Sequence, residues 1–243
     1  MKRILAIAAL TLLASPSVMG QTGKKDEGRA PIKRIEIINP MEDPERLVVS
    51  VLPSGGFRLN ERECTNLEEL TGQLRDTLDK RKPDRRGVFI QAQPETRYGE
   101  VMKTLDAIRG AGAMPIGPLG KTSEELVKFE LVYHSNPPVS PTVNLPPGIH
   151  ASQDFEIHGK NAFIVSIPET GVYLIGKTKI TSADKNHERL LIAQIREGMK
   201  RSEYWLYTYV RCSQDAPYSD INVLMRAVSK AGYESLALVV EKR

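Results

Sequence analysis

Tyr98-Gly-Glu-Val-Met-Lys-Thr-Leu-Asp-Ala-Ile-Arg-Gly-Ala-Gly112 returns 120 residues later as Tyr218-Ser-Asp-Ile-Asn-Val-Leu-Met-Arg-Ala-Val-Ser-Lys-Ala-Gly232. Tyr98, Val101, Leu105, Ile108 and Gly112 become Tyr218, Ile221, Met225, Val228 and Gly232. Steps of three, four and three residues put these side chains on one face of a helix. The Ala-Gly pair that closes each copy predicts a left-handed helix end, which glycine tolerates best. Tyr98, Gly112, Tyr218 and Gly232 are therefore read as structural positions of a repeat.

The repeat extends outward from these helices. Val88-Phe-Ile-Gln-Ala92 matches Thr208-Tyr-Val-Arg-Cys212 at the same offset, and both are β-formers. Leu70, Leu74 and Leu78 match Leu191, Ile195 and Met199 one residue out of step, a change that a loop absorbs cheaply. Thr65-Asn-Leu-Glu68 has the form of a capping box for the first of these helices. Val49-Ser-Val-Leu-Pro-Ser-Gly-Gly56-Phe-Arg-Leu resembles Val165-Ser-Ile-Pro-Glu-Thr-Gly171-Val-Tyr-Leu, each reading as strand, turn and strand. Final strands are expected around Met114–Leu119 and Ser235–Val240. The order predicted in each copy is β-β-α-β-α-β. The fold class is α+β: two tandem two-layer sandwich domains, each a mixed sheet with two helices on one face. Val127–Tyr133 reads as an extra strand closing the first copy.

The domain plan follows. Residues 1–20 carry Lys2-Arg3, an apolar run over Ile4–Ala14 and small residues before Gln21, the form of a secretory signal peptide. The run is about eleven residues, short of the roughly 20 needed to span a bilayer, and no later stretch qualifies. A periplasmic location is expected, with no transmembrane segment in the mature chain. Residues 21–30 are a polar segment, 31–134 the first domain, 135–148 a linker and 149–243 the second domain. Five prolines and a glycine in Ser135–Gly148 make that linker stiff and extended. Removing Lys2 and Arg3 leaves 32 basic against 30 acidic residues, a net +2. Nothing in that balance points to nucleic acid.

With these residues in view, each copy resembles the periplasmic domain of the ExbD/TolR family of biopolymer transport proteins. The resemblance rests on 47–60, 65–70 and 88–112 in the first copy, and on 163–176 and 209–232 in the second. PTVNLPPG (141–148) is similar to the family's leader between membrane helix and domain, and IEIINPMEDPE (35–45) is a weaker counterpart. The chain departs from the family in two ways. A signal peptide without aspartate stands where the family has a proton-conducting membrane helix, and Gln93 and Ser213 stand where it has an aspartate. The resemblance implies non-catalytic binding, accessory to an ExbB/ExbD- or TolQ/TolR-like energy-transduction system. The implied partners are a motor subunit, a TonB-like protein or peptidoglycan. Members of the family act as dimers, so tandem copies are expected to form an intramolecular pseudo-dimer, with a homodimer as the other form. The alternatives are a peptidoglycan-binding or structural envelope protein and, further off, a secreted enzyme of unrecognised type.

Gly171-Val-Tyr-Leu-Ile-Gly-Lys-Thr178 satisfies the phosphate-loop pattern G-x-x-x-x-G-K-[ST]. A working phosphate loop opens straight into a helix whose N-terminus meets the phosphates. Here Lys177-Thr-Lys-Ile-Thr-Ser182 continues in β-formers, so a hairpin is expected and no cofactor. His134, His150, His158 and His187 lack metal-ligand spacing, and no catalytic elbow appears. Cys64 and Cys212 are a candidate disulfide, since export permits one; two separate thiols are the other reading. Tyr204 and Trp205 are candidate partner contacts on a strand, and the basic loop 80–86 is a candidate surface for an anionic polymer or lipid headgroups.

Overall fold

The stripe Leu70, Leu74 and Leu78 and its counterpart Leu191, Ile195 and Met199 are the residues that their two helices bury. A helix hides one face at this spacing, and a sheet with the 2-residue period receives it. The computed structural model describes residues 45–52, 55–119, 127–133, 142–151, 163–200 and 208–242. The first half runs β1 (Leu47–Val51), β2 (Phe57–Leu59), β3 (Arg62–Cys64), α1 (Leu67–Asp79), β4 (Val88–Ala92), α2 (Tyr98–Gly110), β5 (Ile116–Pro118) and β6 (Lys128–Tyr133). The second runs β7 (Pro147–Gly148), β8 (Phe163–Ile167), β9 (Val172–Ile175), β10 (Thr178–Thr181), α3 (His187–Lys200), β11 (Thr208–Cys212), α4 (Tyr218–Lys230) and β12 (Ser235–Lys242). The fold is α+β.

The first half has one strand more than the sequence predicts and the second has two, since Pro147–Gly148 of the expected linker forms β7; between the flanking strands β6 and β7 each half reads β-β-β-α-β-α-β. Within that frame the added strands, β3 and β10, are short and carry mostly exposed polar residues, so no apolar alternation announces them. The phosphate-loop pattern lies in this region. Val172–Ile175 is β9, Gly176 and Lys177 make the turn, and β10 returns antiparallel with Thr178 opposite Ile175. The stretch is a hairpin, and α3 starts only at His187. Asn60 takes a left-handed φ of 53° at the corresponding turn of the first half, where Gly176 has 58°. Its carboxamide accepts from the Val48 N–H at 2.7 Å and donates to the Arg46 carbonyl at 3.1 Å, ties that fix the turn against β1.

Twelve described strands form one mixed sheet in the order β10-β9-β8-β11-β12-β6-β5-β4-β1-β2-β3, with β7 beside the end of β12. Read from either edge inward to β6, the order is the same under the repeat. The strand β6 does more than close the first half. It pairs with β5 at one position, Ile116 opposite Phe129, and with β12 in parallel from Ser235 opposite Lys128 to Val240 opposite Tyr133. The main core lines the helix-covered face and draws residues from both halves. Val132, Tyr209, Ala237 and Val239 alternate onto the other face with Leu145 and Ile164 against them.

Helix ends follow local chemistry. The predicted capping box sits one residue further on. Asn66 is the N-cap of α1 and accepts from the Glu69 N–H at 2.8 Å. Glu69 reaches back to accept from the Thr65 N–H and hydroxyl, both at 2.9 Å. These donors hold the Glu69 carboxyl below the usual range, the Thr65 backbone contributing most. Gly112 and Gly232 close α2 and α4 with φ of 95° and 94°, as the Ala-Gly repeat predicts.

Candidate functional site

The N-termini of α2 and α4 meet. Arg97 forms an antiparallel bridge with Pro217, its own equivalent in the repeat. The Tyr98 N–H donates to the Ala216 carbonyl at 2.7 Å, and the Tyr218 N–H to the Thr96 carbonyl at 2.8 Å. The Gly99 N–H donates to the Gln214 carbonyl and the Ser219 N–H to the Pro94 carbonyl, each at 2.9 Å. Every bond has its image under the 120-residue offset. A local two-fold axis therefore passes between the two helix starts, the geometry of an isologous interface. Four helix-start N–H groups that would otherwise need capping or water are satisfied here.

Tyr98 and Tyr218 flank this axis. Both are buried, and neither hydroxyl has a hydrogen-bond partner. Burial pushes both phenols up, with Cys212 and Tyr218 adding to the effect on Tyr98. Cys212 lies in the same buried region, and burial, then Asp220, pushes its thiol up, the reverse of an activated nucleophile.

Beside the axis each half has a space between its hairpin and the start of its second helix, and the two differ. The β pairings fix the equivalence: Ser50 pairs with Arg58, and Ser166 with Leu174, so Phe57 corresponds to Tyr173. In the second half, Asp220 in the first turn of α4 accepts from the Gly171 N–H at 2.8 Å and from the Tyr173 hydroxyl at 3.3 Å. Tyr173 is fully buried and Asp220 is 6% exposed. Burial raises the Asp220 carboxyl, while the Gly171 and Tyr173 bonds pull it back. Burial also raises Tyr173, with Asp220 next. Asn144 covers the adjoining turn: its carbonyl accepts from the Gln214 N–H at 2.8 Å, and its side chain meets Gln214 and Asp215 at 3.2 Å.

In the first half the same space is an open groove of about 370 Å³. Val51, Leu52 and Phe57 form its apolar wall, with Thr96, Glu95 and Glu100 on the helix side. Phe57 has no hydroxyl, and Glu100 turns to Lys103 at 2.7 Å instead of to the hairpin. The Thr96 hydroxyl is buried in the wall without a partner. Pro94 occupies the place of Gln214 and has no N–H to hold a segment as Asn144 is held.

The other candidate residues fall apart from this groove. Cys64 and Cys212 are both buried free thiols. They stand on β3 and β11, seven strand positions apart, roughly 30 Å at about 4.8 Å per strand. The candidate disulfide is therefore corrected, since a bridge needs Cα atoms within about 7 Å. Tyr204 and Trp205 lie outside the described residues, as do His134 and His158. In the basic loop, Arg81 donates to the Glu45 carbonyl and Arg85 pairs with Glu45 at 3.5 Å. His187 Nδ1 lies 2.7 Å from the Asp184 carbonyl. His150 packs on Gly110, and its backbone N–H and ring both reach Asp106, at 2.7 and 3.2 Å. Among the described residues no three metal-ligating side chains come together, and no helix is long and apolar enough to cross a membrane. Sequence reasoning missed Asp220, Tyr173 and the groove. An aspartate in the first turn of a helix reads as ordinary complement to the helix dipole, and only the Phe57/Tyr173 difference between copies carries the signal.

No protein-family model, no curated protein and no solved structure matches the chain.

Proposed function

We propose that the chain is a non-catalytic binding module of the periplasm, accessory to an ExbB/ExbD- or TolQ/TolR-like envelope energy-transduction system. On this reading each half is one ExbD/TolR-like sandwich domain, and the chain carries as one molecule the pair that the family forms from two. The observation that supports it is the local two-fold axis, where four hydrogen bonds obey the repeat. Symmetric pairing of two copies is what a dimeric domain requires, and a tandem chain reaches it at high effective concentration.

The test is crosslinking of the tagged protein in intact cells, followed by mass spectrometry of what co-purifies. Recovery of a motor subunit, an ExbD/TolR-type subunit or a TonB-like protein is the expected result. Recovery of only peptidoglycan fragments or outer-membrane proteins replaces this reading with a wall-binding or structural one.

A further inference from the structure

The contact between the two helix starts hides hydroxyls that it does not satisfy. Tyr98 and Tyr218 open α2 and α4, and both side chains enter the core that the halves share, at 0% and 4% exposure. Neither hydroxyl meets a protein donor or acceptor. Thr96, whose carbonyl takes the Tyr218 N–H, buries a third such hydroxyl. Elsewhere among the described residues only Thr208 has one. Unpartnered hydroxyls therefore gather at the seam between the halves. The two tyrosines are neighbours there. After burial, Cys212 and then Tyr218 add to the rise of the Tyr98 phenol. Cys212 does not serve as the missing partner, because its thiol is turned to the Ser213 carbonyl at 3.5 Å.

We infer that an internal water molecule sits at the two-fold axis and bridges the Tyr98 and Tyr218 hydroxyls, a polar link to which each half contributes one side. Three observations select water as the ligand. The groups to be satisfied are hydroxyls, each able to donate and accept, and buried waters take about three bonds to polar groups that the protein leaves unpaired. The place is neutral: burial pushes both phenols and the Cys212 thiol up, so all three hold their protons and none calls for an ion. The place is also small. Direct backbone bonds of 2.7 to 2.9 Å join the helix starts on both sides of the axis and leave no passage for a larger molecule. The link exists only when both tyrosines face each other, so it rewards this one pairing of the halves. The inference goes beyond the envelope reading and does not depend on it, since it concerns the seam whatever the chain binds.

The test uses the full chain with Tyr98→Phe, Tyr218→Phe and both together, followed by urea unfolding and by rotating-frame NOE spectroscopy between water and protein. Each single change is expected to lower the folding constant about fivefold, the worth of one net hydrogen bond. The double change is expected to lower it no further than the worse single one, because the second hydroxyl has already lost its bridge. The parent is expected to show cross-peaks between a long-lived water and the ring protons of Tyr98 and Tyr218, and the double variant to lack them. The inference is overturned if either single variant is as stable as the parent or more so, as removal of an unsatisfied hydroxyl would make it. It is also overturned if the two losses add, or if the parent lacks the cross-peaks; coupling without them means that the hydroxyls bond each other. Should a variant fail to fold, the cross-peaks of the parent decide alone.

Discussion

Asp220 and Glu100 hold the same place in the repeat and do opposite things. One methylene and one hydroxyl decide it. The shorter Asp220 side chain stays under the hairpin and meets Gly171 and Tyr173, while the longer Glu100 reaches solvent and Lys103. Because burial raises Asp220 above its usual range, the folded chain holds that proton more tightly than the unfolded chain does. The stability this contributes is complete below the unfolded carboxylate value, about 3.9, and is lost as pH rises through the higher folded value. Asp220→Asn keeps an acceptor for the Gly171 N–H and removes the titration. The parent should therefore lose stability relative to this variant over a window that opens at about pH 4 and runs up through the raised folded value. Urea unfolding midpoints across that window measure it. A constant difference, or one that favours the parent as pH rises, shows that the Gly171 and Tyr173 bonds outweigh burial.

Among elements, the helices were the most legible. Their apolar stripes, Leu70-Leu74-Leu78 and Tyr218-Ile221-Met225-Val228, predict the buried faces because packing against a sheet follows the helical period. The short strands β3 and β10 were not legible. Arg62-Glu-Cys64 buries one residue in three, too few to show a period. They form because the turns at Asn60 and Gly176 leave the chain no direction but back along β2 and β9. The cap of α1 was legible in kind and misplaced by one residue, since Thr65 and Asn66 are both good caps and only the backbone chooses. Asn66→Ala should cost about 1 kcal/mol of stability and Asn66→Asp nearly nothing. Thermal or urea unfolding checks this. An equal loss in both variants would mean that Asn66 matters through its Nδ2, which donates to the Thr65 hydroxyl at 3.3 Å, and not through its cap bond.

At the scale of the whole molecule, the repeat was readable and the way its copies join was not. The offset of 120 residues gives the likeness of the halves, but only the structure shows the strand β6 standing between them, parallel to β12. No described strand of the second half repeats it, so no repeat argument assigns its place. The described residues lie within one compact unit, Ile37–Arg243, with a core that draws on both halves. Two such halves should unfold together. Slow amide exchange in α1 and α3, helices from opposite ends of the sheet, should report one common opening free energy. Gly99 offers the means to perturb the joint, because a Cβ there would lie 3.0 Å from the Gln214 Cβ and 3.1 Å from its carbonyl. Gly99→Leu should lower the protection of α1 and α3 together. If α3 keeps its protection while α1 loses it, the halves are independent folding units, and the axis between them is a contact rather than part of a shared core.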